Sequence, residues 1–271
     1  MAEHAAAPHG AAPATPAWLV VLEQELRELW SGGRGIALSF AFSVLLSLIA
    51  YLLATNTALN FLEHRESVDL LVEVAIAVGA MLSLLAAADA VSGERERATL
   101  ETLLLSPAPR RQLVAGKLLA ALSLWLAAFL ITVPYAWFLA RGVGVAGEAL
   151  AAGLAVGTLL AVFLACFGLV VSLFAASNRF SLSLTLFVLL ALFAPTQLPS
   201  SAQEGWAGQL LLRANPMTAG EHYVNTIIVG AHAWSRQADW LASPIAAALA
   251  LAVAVVVLGE RALVLRPGGA R

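Results

Sequence analysis

Charged residues are scarce in this chain of 271 residues: they make up 12% of it, whereas about 25% is usual for a soluble domain. Hydrophobic residues make up 61%, which is more than a water-soluble globule can bury, so we exclude a soluble enzyme and a disordered protein. The single cysteine, Cys166, excludes an internal disulfide framework and a multi-cysteine metal site. A formal net charge of -2 provides no basic field for nucleic acid. A polytopic membrane protein remains.

Sequence motifs for catalysis and for metal binding are missing as well. Neither a His-Glu-x-x-His zinc motif nor a Gly-x-Ser-x-Gly nucleophile elbow occurs. The nearest approach to a phosphate-binding loop is Gly116-Lys117-Leu118, which lacks the first glycine of that loop and the hydroxyl that binds magnesium. We therefore predict no catalytic residue, no metal site and no bound cofactor in this chain.

Six long apolar segments follow one another along the chain. A helix of 19 residues is about 28 Å long, which is enough to cross the hydrocarbon core of a bilayer. We predict spans over residues 36–54, 70–88, 118–140, 149–176, 180–198 and 240–258. The fifth is apolar only to residue 194 and reaches spanning length when it is extended to residue 198. The predicted fold class is all-α, a membrane protein with six transmembrane helices.

The region before the first span has two parts. Residues 1–17 are rich in alanine and proline and lack the features of a secretory signal, so we predict a disordered tail. In residues 18–30, apolar side chains recur at helical spacing, and charged residues such as Glu25 lie on the other face. This pattern predicts an amphipathic helix at the membrane interface, with a soluble cap helix as the alternative. Residues 18–271 then form one transmembrane domain.

Basic residues are divided unevenly between the two sets of connecting segments. With the N-terminus inside, eleven Lys and Arg residues lie in inner segments and four in outer ones. The positive-inside rule therefore predicts that both termini are cytoplasmic. The longest outer loop is then 199–239, whose apolar stretches predict short helices that enter the outer leaflet or a lid lying flat on the membrane.

Few ionisable residues fall within the predicted spans. Asp69 and Glu73 lie one turn apart at the outer start of the second span, and carboxylates within a bilayer often mark an ion path. Alternatively, Ser67 caps this helix and both carboxylates interact with its dipole. Glu73, which is the deeper of the two, and Phe187 on the fifth span are our candidates for a transport pathway. The apolar spans favour a lipid-like or drug-like cargo, and an ion exporter that uses Glu73 is the alternative.

Small residues recur at every fourth position in two of the spans. Such ridges let helices approach closely, so we interpret both as packing surfaces and assign no partners to them. The positions are Ala149, Gly153, Gly157, Ala161 and Ala165 in the fourth span, and Ala75, Gly79, Ser83 and Ala87 in the second.

The segment 92–107 joins the second and third spans on the inner side. Ser92 is a predicted N-cap, and Pro107 ends the short amphipathic helix that follows it. A helix pinned between two spans is suited to docking a partner, whereas an ordinary loop lying on lipid is the alternative. The candidate docking residues are three leucines on one face and three charged residues at its rim: Leu100, Leu103, Leu104, Glu94, Arg97 and Glu101.

This segment resembles the signature of ABC type-2 (exporter-class) permease subunits. The family commonly shows Gly-Glu-x-x-x-Gly-Thr-Leu-Glu, then a stretch with proline and then a Gly-Lys pair. The corresponding residues here are Gly93 and the run Glu94-Arg95-Glu96-Arg97-Ala98-Thr99-Leu100-Glu101, followed by Leu104, Pro107, Arg110 and Gly116-Lys117. Ala98 replaces the usual glycine. The layout, with an N-terminal interfacial helix, six spans and a long last outer loop, is also similar to that family.

The resemblance implies a permease subunit of an exporter in the plasma (inner) membrane of a prokaryote. It implies pairing with a second permease subunit, as a homodimer or heterodimer, and with two ATP-binding cassette ATPase subunits that hold ATP and Mg on the cytoplasmic side. The segment 92–107 would be the coupling helix that the ATPase moves. The alternatives are an intramembrane enzyme and a membrane anchor or assembly factor that transports nothing.

Overall fold

The computed structural model describes residues 16–55, 61–100, 105, 109–141, 143–197 and 205–262. The predicted tail, residues 1–17, lies almost entirely outside these ranges. The helices in the described ranges are α1 (Ala17–Ser31), α2 (Arg34–Thr55), α3 (Phe61–Asp89), α4 (Ser92–Glu96), α5 (Arg110–Leu139), α6 (Ala146–Phe174), α7 (Asn178–Phe193), α8 (Trp206–Ala214), α9 (Pro216–Ile228) and α10 (Ala242–Ala262). Short 3-10 helices cover Ala194–Gln197 and Ala238–Leu241. The all-α prediction is confirmed, since no strand occurs in these ranges.

Five helical segments are long and apolar enough to cross a membrane, judged by length and composition. They are Arg34–Thr55, His64–Glu96, Arg110–Leu139, Ala146–Phe174 and Ala238–Ala262. These segments coincide with five of the six predicted spans. The predicted span 180–198 is occupied by α7, which has 16 residues and a length of about 24 Å. The count of six spans therefore stays a prediction.

The long helices alternate in direction. Arg34 at the start of α2 and Asn178 at the start of α7 both contact Asp89 at the end of α3, at 2.9 and 2.7 Å. Arg111 at the start of α5 pairs with Glu260 near the end of α10. This shared end of the bundle is called the basic end, because nine of the described basic residues lie at or beside it: Arg27, Arg34, Arg95, Arg97, Arg110, Arg111, Lys117, Arg179 and Arg261. The other four, Arg65, Arg141, Arg213 and Arg236, lie towards the opposite end.

The two ridges of small residues are packing surfaces, and the structure gives them partners. All nine ridge residues are buried, and α3 and α6 pack against each other along them. The indole ring of Trp125 from α5 lies between Gly79 and Gly157, and a Cβ at either glycine would come closer than 3.0 Å to this ring. Trp125 donates a hydrogen bond from Nε1 to Thr158 Oγ1 at 3.0 Å. Glycine is therefore required at both positions so that α3, α5 and α6 can meet.

Helix α1 occupies the predicted N-terminal helix and runs alongside the first half of α5 in the same direction. The Trp18 amide donates to Gln112 Oε1, and Trp30 Nε1 donates to Ser123 Oγ, both at 3.1 Å. The position of α1 at a membrane interface stays a prediction. One detail is corrected: Glu25 does not lie on the free face of α1 but turns towards α5, because Lys117 pairs with it there.

Helix α3 begins at Phe61, nine residues before the start of the predicted second span. Ser67 therefore lies within the helix and is not its N-cap, so the capping explanation for Asp69 and Glu73 is wrong. The helix continues past the apolar segment because hydrogen bonding within a helix does not require apolar side chains.

The segment predicted as a flat lid or as short entering helices contains α8 and α9, and α9 packs into the bundle. Gly220 faces Val156 and Leu160 of α6, which lie about 15 and 21 Å along α6 from its first residue. Asn215 starts α9 by accepting a hydrogen bond from the Met217 amide at 2.9 Å. These contacts favour helices that enter the bundle over a flat lid.

Candidate coupling site

Helix α4 is a single turn at the basic end, and its start differs from the prediction. Its N-cap is Val91, so the prediction of Ser92 as the N-cap is wrong. The Ser92 amide instead donates to Ser172 Oγ of α6 at 2.9 Å, and the Ser92 hydroxyl lies 3.0 Å from Asn178 Oδ1 of α7. Ser92 therefore joins α4 to two of the long helices.

The predicted continuous helix over 92–107 is interrupted after α4. Ala98 has a φ of +57°, and the Thr99 amide returns to the Glu94 carbonyl at 3.0 Å. This left-handed conformation favours glycine, which is the residue that the family signature commonly has at this position. Beyond the turn, Leu100 is half-buried and packs against the apolar cluster that includes Val91.

The remaining predicted docking residues, Glu101, Leu103 and Leu104, lie outside the described residues. Sequence analysis did not select Leu105, whose side chain is 74% exposed. Leu105 follows the predicted leucine face directly in the sequence, and its exposure makes it a candidate docking residue.

Lys117 of α5 joins three helices through ion pairs. Its ammonium group contacts Glu25 of α1 and, at 2.5 Å, Glu94 of α4. Lys117 is 3% exposed, and the Glu94 side chain is 16% exposed, so this pair is largely shielded from water. Removing one partner of a buried pair commonly destabilises a protein by about 3–5 kcal/mol, since it leaves an uncompensated charge. The expected rim position of Glu94 is therefore corrected to an interior one.

Asp89 is a second residue that links several helices through polar contacts at the basic end. Besides its contacts with Arg34 and Asn178, it lies 3.7 Å from the guanidinium of Arg97. The Arg97 side chain is more than half exposed, which agrees with the rim position predicted for it. A Cβ at Gly93 would come closer than 3.0 Å to the Asp89 carboxylate and to Arg97. The glycine of the Gly-Glu pair is thus needed for this close approach.

Arg95 and Glu96 connect α4 to the turn between α6 and α7. Arg95 donates to the carbonyls of Leu173, at 3.0 Å, and Ala175. Glu96 accepts from the Asn178 amide at 2.8 Å. A cation at the C-terminus of one helix and an anion at the N-terminus of the next both interact favourably with the helix dipoles. Sequence reasoning did not assign these roles, because the partners are about 80 residues away along the chain.

A cavity of about 680 Å³ opens among α1, α3, α4 and α5 at the basic end. Its charged lining residues include Glu28, Arg34, Asp89, Glu94 and Lys117. Since both signs of charge are present, the cavity has no uniform field for a multiply charged ligand. It does leave α4 partly surrounded by solvent-accessible space, in which a polar contact can rearrange.

The two pathway candidates lie on different surfaces. Phe187 is 69% exposed on the outer face of α7, whereas Glu73 is half-buried on α3, close enough to Glu221 of α9 for their charges to interact. Sequence analysis missed Glu221 because it treated the segment around it as a loop. Within the described ranges, no group of three or more His, Cys, Asp or Glu residues is arranged to hold a metal ion.

Comparison with known protein families identifies the family of this chain. Residues 19–264 match the family described as ABC-2 family transporter protein. A comparison with curated proteins gives no match. The family match includes all of α2 to α10, and several of these helices are long and apolar enough to cross a membrane. The chain therefore belongs to the ABC-2 transporter family and is a multi-pass membrane permease of an ABC transporter.

Proposed function

We propose that this permease is one subunit of an exporter that works with a second permease subunit and with two separate ATPase subunits, which hold ATP and Mg. We assign it to the plasma (inner) membrane of a prokaryote, with the basic end and both termini in the cytoplasm. The excess of basic residues at one end of the bundle supports this orientation. It also puts α4 on the side where ATP is available.

The observation that carries the proposal is the way in which α4 is fixed to the bundle. Its polar contacts reach α1 and α5 through Lys117, α3 through Asp89, and the turn between α6 and α7 through Arg95 and Glu96. A force applied to α4 therefore acts on five long helices rather than on a free loop. This rigidity suits a coupling element that converts closure of an ATPase dimer into movement of the spans.

We place the proposed docking surface beside α4, on the part of 92–107 that follows Leu100 in the sequence. Leu105 is exposed, Arg97 is at its edge, and Leu103, Leu104 and Glu101 are assigned to the same surface from the sequence. Burying one leucine contributes about 1.5–3 kcal/mol. Leu100 supports the turn from the bundle side rather than contacting the ATPase.

We propose that Phe187 lies on the transport pathway, at the surface between the two permease subunits. Glu73 then lies at the outer entrance of this pathway. Leu186, Phe187 and Leu190 form an exposed apolar patch on α7. The length of α7, about 24 Å, suits a helix that is covered partly by a second subunit. An apolar surface of this kind favours a lipid-like or drug-like cargo.

The experiment is co-purification with the ATP-binding subunit encoded beside this chain. We expect Leu104→Asp and Leu105→Asp each to weaken the association by about tenfold or more, because a buried carboxylate without a partner is unfavourable and 1.4 kcal/mol corresponds to one decade. Leu210→Asp is the matched control, since Leu210 is 61% exposed on α8 at the opposite end. It should bind the ATPase as the wild type does.

The amount of membrane-inserted protein is measured for each variant, because the docking surface is not part of any span. If both leucine variants insert normally and keep full ATPase binding and transport-coupled turnover, the segment 92–107 is not the coupling element. If the wild-type chain itself fails to bind any ATPase, a non-transporting anchor becomes the better assignment.

A further inference from the structure

The opposite end of the bundle contains a group of acidic residues that the proposed coupling does not use. Asp69 and Glu73 lie one turn apart on α3, and Glu221 and Asn225 lie one turn apart on α9. The Asn225 side-chain amide donates a hydrogen bond to Asp69 Oδ2. Asp69 is 4% exposed and Glu221 is 9% exposed. Three carboxyl groups and an amide therefore meet between two packed helices.

Two of these carboxyl groups lack partners that ionised carboxylates need. The Asp69 Oδ1 atom is buried and accepts no hydrogen bond. Glu221 makes no hydrogen bond or ion pair within the described part of the chain, although it is nine-tenths buried and close enough to Glu73 and Asp69 for their charges to interact. A buried carboxylate in this situation is far less stable than its protonated form.

Within the described ranges, the surrounding elements make no ion pair with Glu221. On α3, Arg65 donates to the Ile228 carbonyl at 3.0 Å, and Glu66 adds another negative charge near Asp69. Helix α6 presents the apolar side chains of Val156 and Leu160 to α9.

Three other ionisable groups, on α8, α9 and the 3-10 helix before α10, make contacts with one another or with Trp240. Arg213 lies 3.4 Å from Asp239 and over the ring of Trp240, against which His222 also packs. These groups therefore leave the charge of Glu221 uncompensated.

We infer that Asp69, Glu73 and Glu221 form a proton-binding site that holds α9 against α3, and that the proton leaves when these helices separate. The proton is the ligand that the geometry favours. These three residues are not arranged to hold a metal ion, and a proton needs no cavity. Separation of the helices would admit water to the site. Glu221 would then lose its proton beside Asp69 and Glu73, and the three carboxylates would repel one another. The inference does not depend on the ATPase, so it is tested on the permease alone.

Burial raises the pKa of Glu221 to about 8, and the charges of Glu73 and Asp69 raise it as well. The protonated Glu221 side chain therefore contributes its full stabilisation of the folded state below its ordinary pKa of 4.5. Above that value the unfolded chain loses the proton more readily, so the stability of the folded protein decreases as the pH rises to about 8 and then levels off.

The test is infrared spectroscopy of the purified full chain in lipid nanodiscs, titrated from pH 5 to pH 9. We expect the carbonyl band of a buried carboxylic acid at pH 7, and we expect it to disappear near pH 8. Glu221→Gln should remove this band. Glu148→Gln is the control, because Glu148 is an exposed carboxylate in the first turn of α6, and it should leave the band unchanged.

Thermal unfolding of the same samples gives a second readout. For the wild type and Glu148→Gln, the midpoint temperature of unfolding should fall by about 5 °C or more between pH 5 and pH 8. The midpoint temperature of Glu221→Gln should change little over the same range. Asp69→Asn should shift the titration of the band to lower pH, because one neighbouring negative charge is removed. Replacing sodium by choline at constant ionic strength should leave the titration unchanged.

The inference is overturned if the wild type shows no carboxylic-acid band at pH 7, or if the band persists in Glu221→Gln. A titration that depends on sodium would also overturn it, since a metal cation would then be the ligand. None of these results bears on ATPase binding, so the coupling proposal is judged separately.

Discussion

At the scale of single residues, Ala98 is the clearest case of local conformation set by the surrounding contacts. Its φ of +57° lies in the left-handed region, where a residue with a Cβ is less stable by roughly 1–2 kcal/mol. The turn there ends α4 and brings Leu100 back to the bundle. The contacts of Arg95 and Glu96 on one side and of Leu100 on the other hold the backbone in this conformation.

We predict that Ala98→Gly raises the free energy of unfolding by up to about 1 kcal/mol, because glycine adopts this φ without strain and part of the gain is offset by its greater freedom when unfolded. Ala98→Val should lower it, since a β-branched side chain fits this region worst. Ala151→Gly, on an exposed face in the second turn of α6, is the control and should lower it by about 0.5–1 kcal/mol. Denaturant unfolding in detergent measures all three. A loss for Ala98→Gly equal to that of the control would show that Ala98 is helical.

The residue pattern at 92–97 marks a site, but it does not show what each charge does. Glycine next to alternating charges predicts a docking segment. Arg97 is more than half exposed, and its place at the rim of a docking surface stays a prediction. The partner of Glu94 is Lys117, and the second partner of that lysine, Glu25, is 92 residues from it along the chain. Such pairings depend on how α1, α4 and α5 pack. Periodicity within one segment therefore cannot reveal them.

At the scale of elements, the packing of α3, α5 and α6 depends on the close approach of these helices at small residues rather than on contacts between large apolar side chains. The ridges of small residues were recognisable because they repeat every four positions. Their partners were not, because the repeat does not show which helix packs against it. The ring that enters between two of the glycines, Trp125 of α5, belongs to neither ridge. Trp125 is 1% exposed, so this insertion is complete.

We predict that Gly157→Ala destabilises the folded protein by about 1–3 kcal/mol, because the new Cβ would come closer than 3.0 Å to the ring of Trp125 and a packed core must shift to admit it. Gly147→Ala is the matched control in the first turn of the same helix. A Cβ there meets no atom within 4 Å, and alanine is the better helix former. Thermal unfolding in detergent compares the two variants. Equal midpoint temperatures would mean that the Trp125 ring does not fill the space between Gly79 and Gly157.

The ends of the elements were less predictable than their middles. The second span was predicted from residue 70, but α3 begins at Phe61, since His64, Arg65 and Glu66 continue the helix beyond the apolar segment. The burial of α9 was also not foreseen. Glu221 and Thr226 are buried, and Asn225 donates to Asp69 of α3, although polar residues in a predicted outer loop are expected to face water.

At the scale of the whole molecule, the alternation of six long helices determines which loops share a side. Asn178 at the start of α7 contacts Asp89 at the basic end, and the Leu192 carbonyl near its end accepts from Asn215 at the opposite end, at 2.6 Å. Together with the 3-10 helix Ala194–Gln197, α7 extends over about 32 Å. It therefore connects the two ends even though the α-helix alone is short.

We therefore predict that Gln203, which follows α7 in the sequence, is outside the cell and that Leu105 is inside. In a Cys166→Ala background, a maleimide that cannot cross the membrane should label Gln203→Cys in intact cells and Leu105→Cys only after permeabilisation. Cys166 is fully buried, so its replacement removes little background but makes each label unambiguous. If both cysteines are reached only from inside, α7 does not cross and the chain has five spans. If Leu105→Cys alone is labelled in intact cells, the basic end is outside, and the assignment of 92–107 to ATPase coupling fails with it.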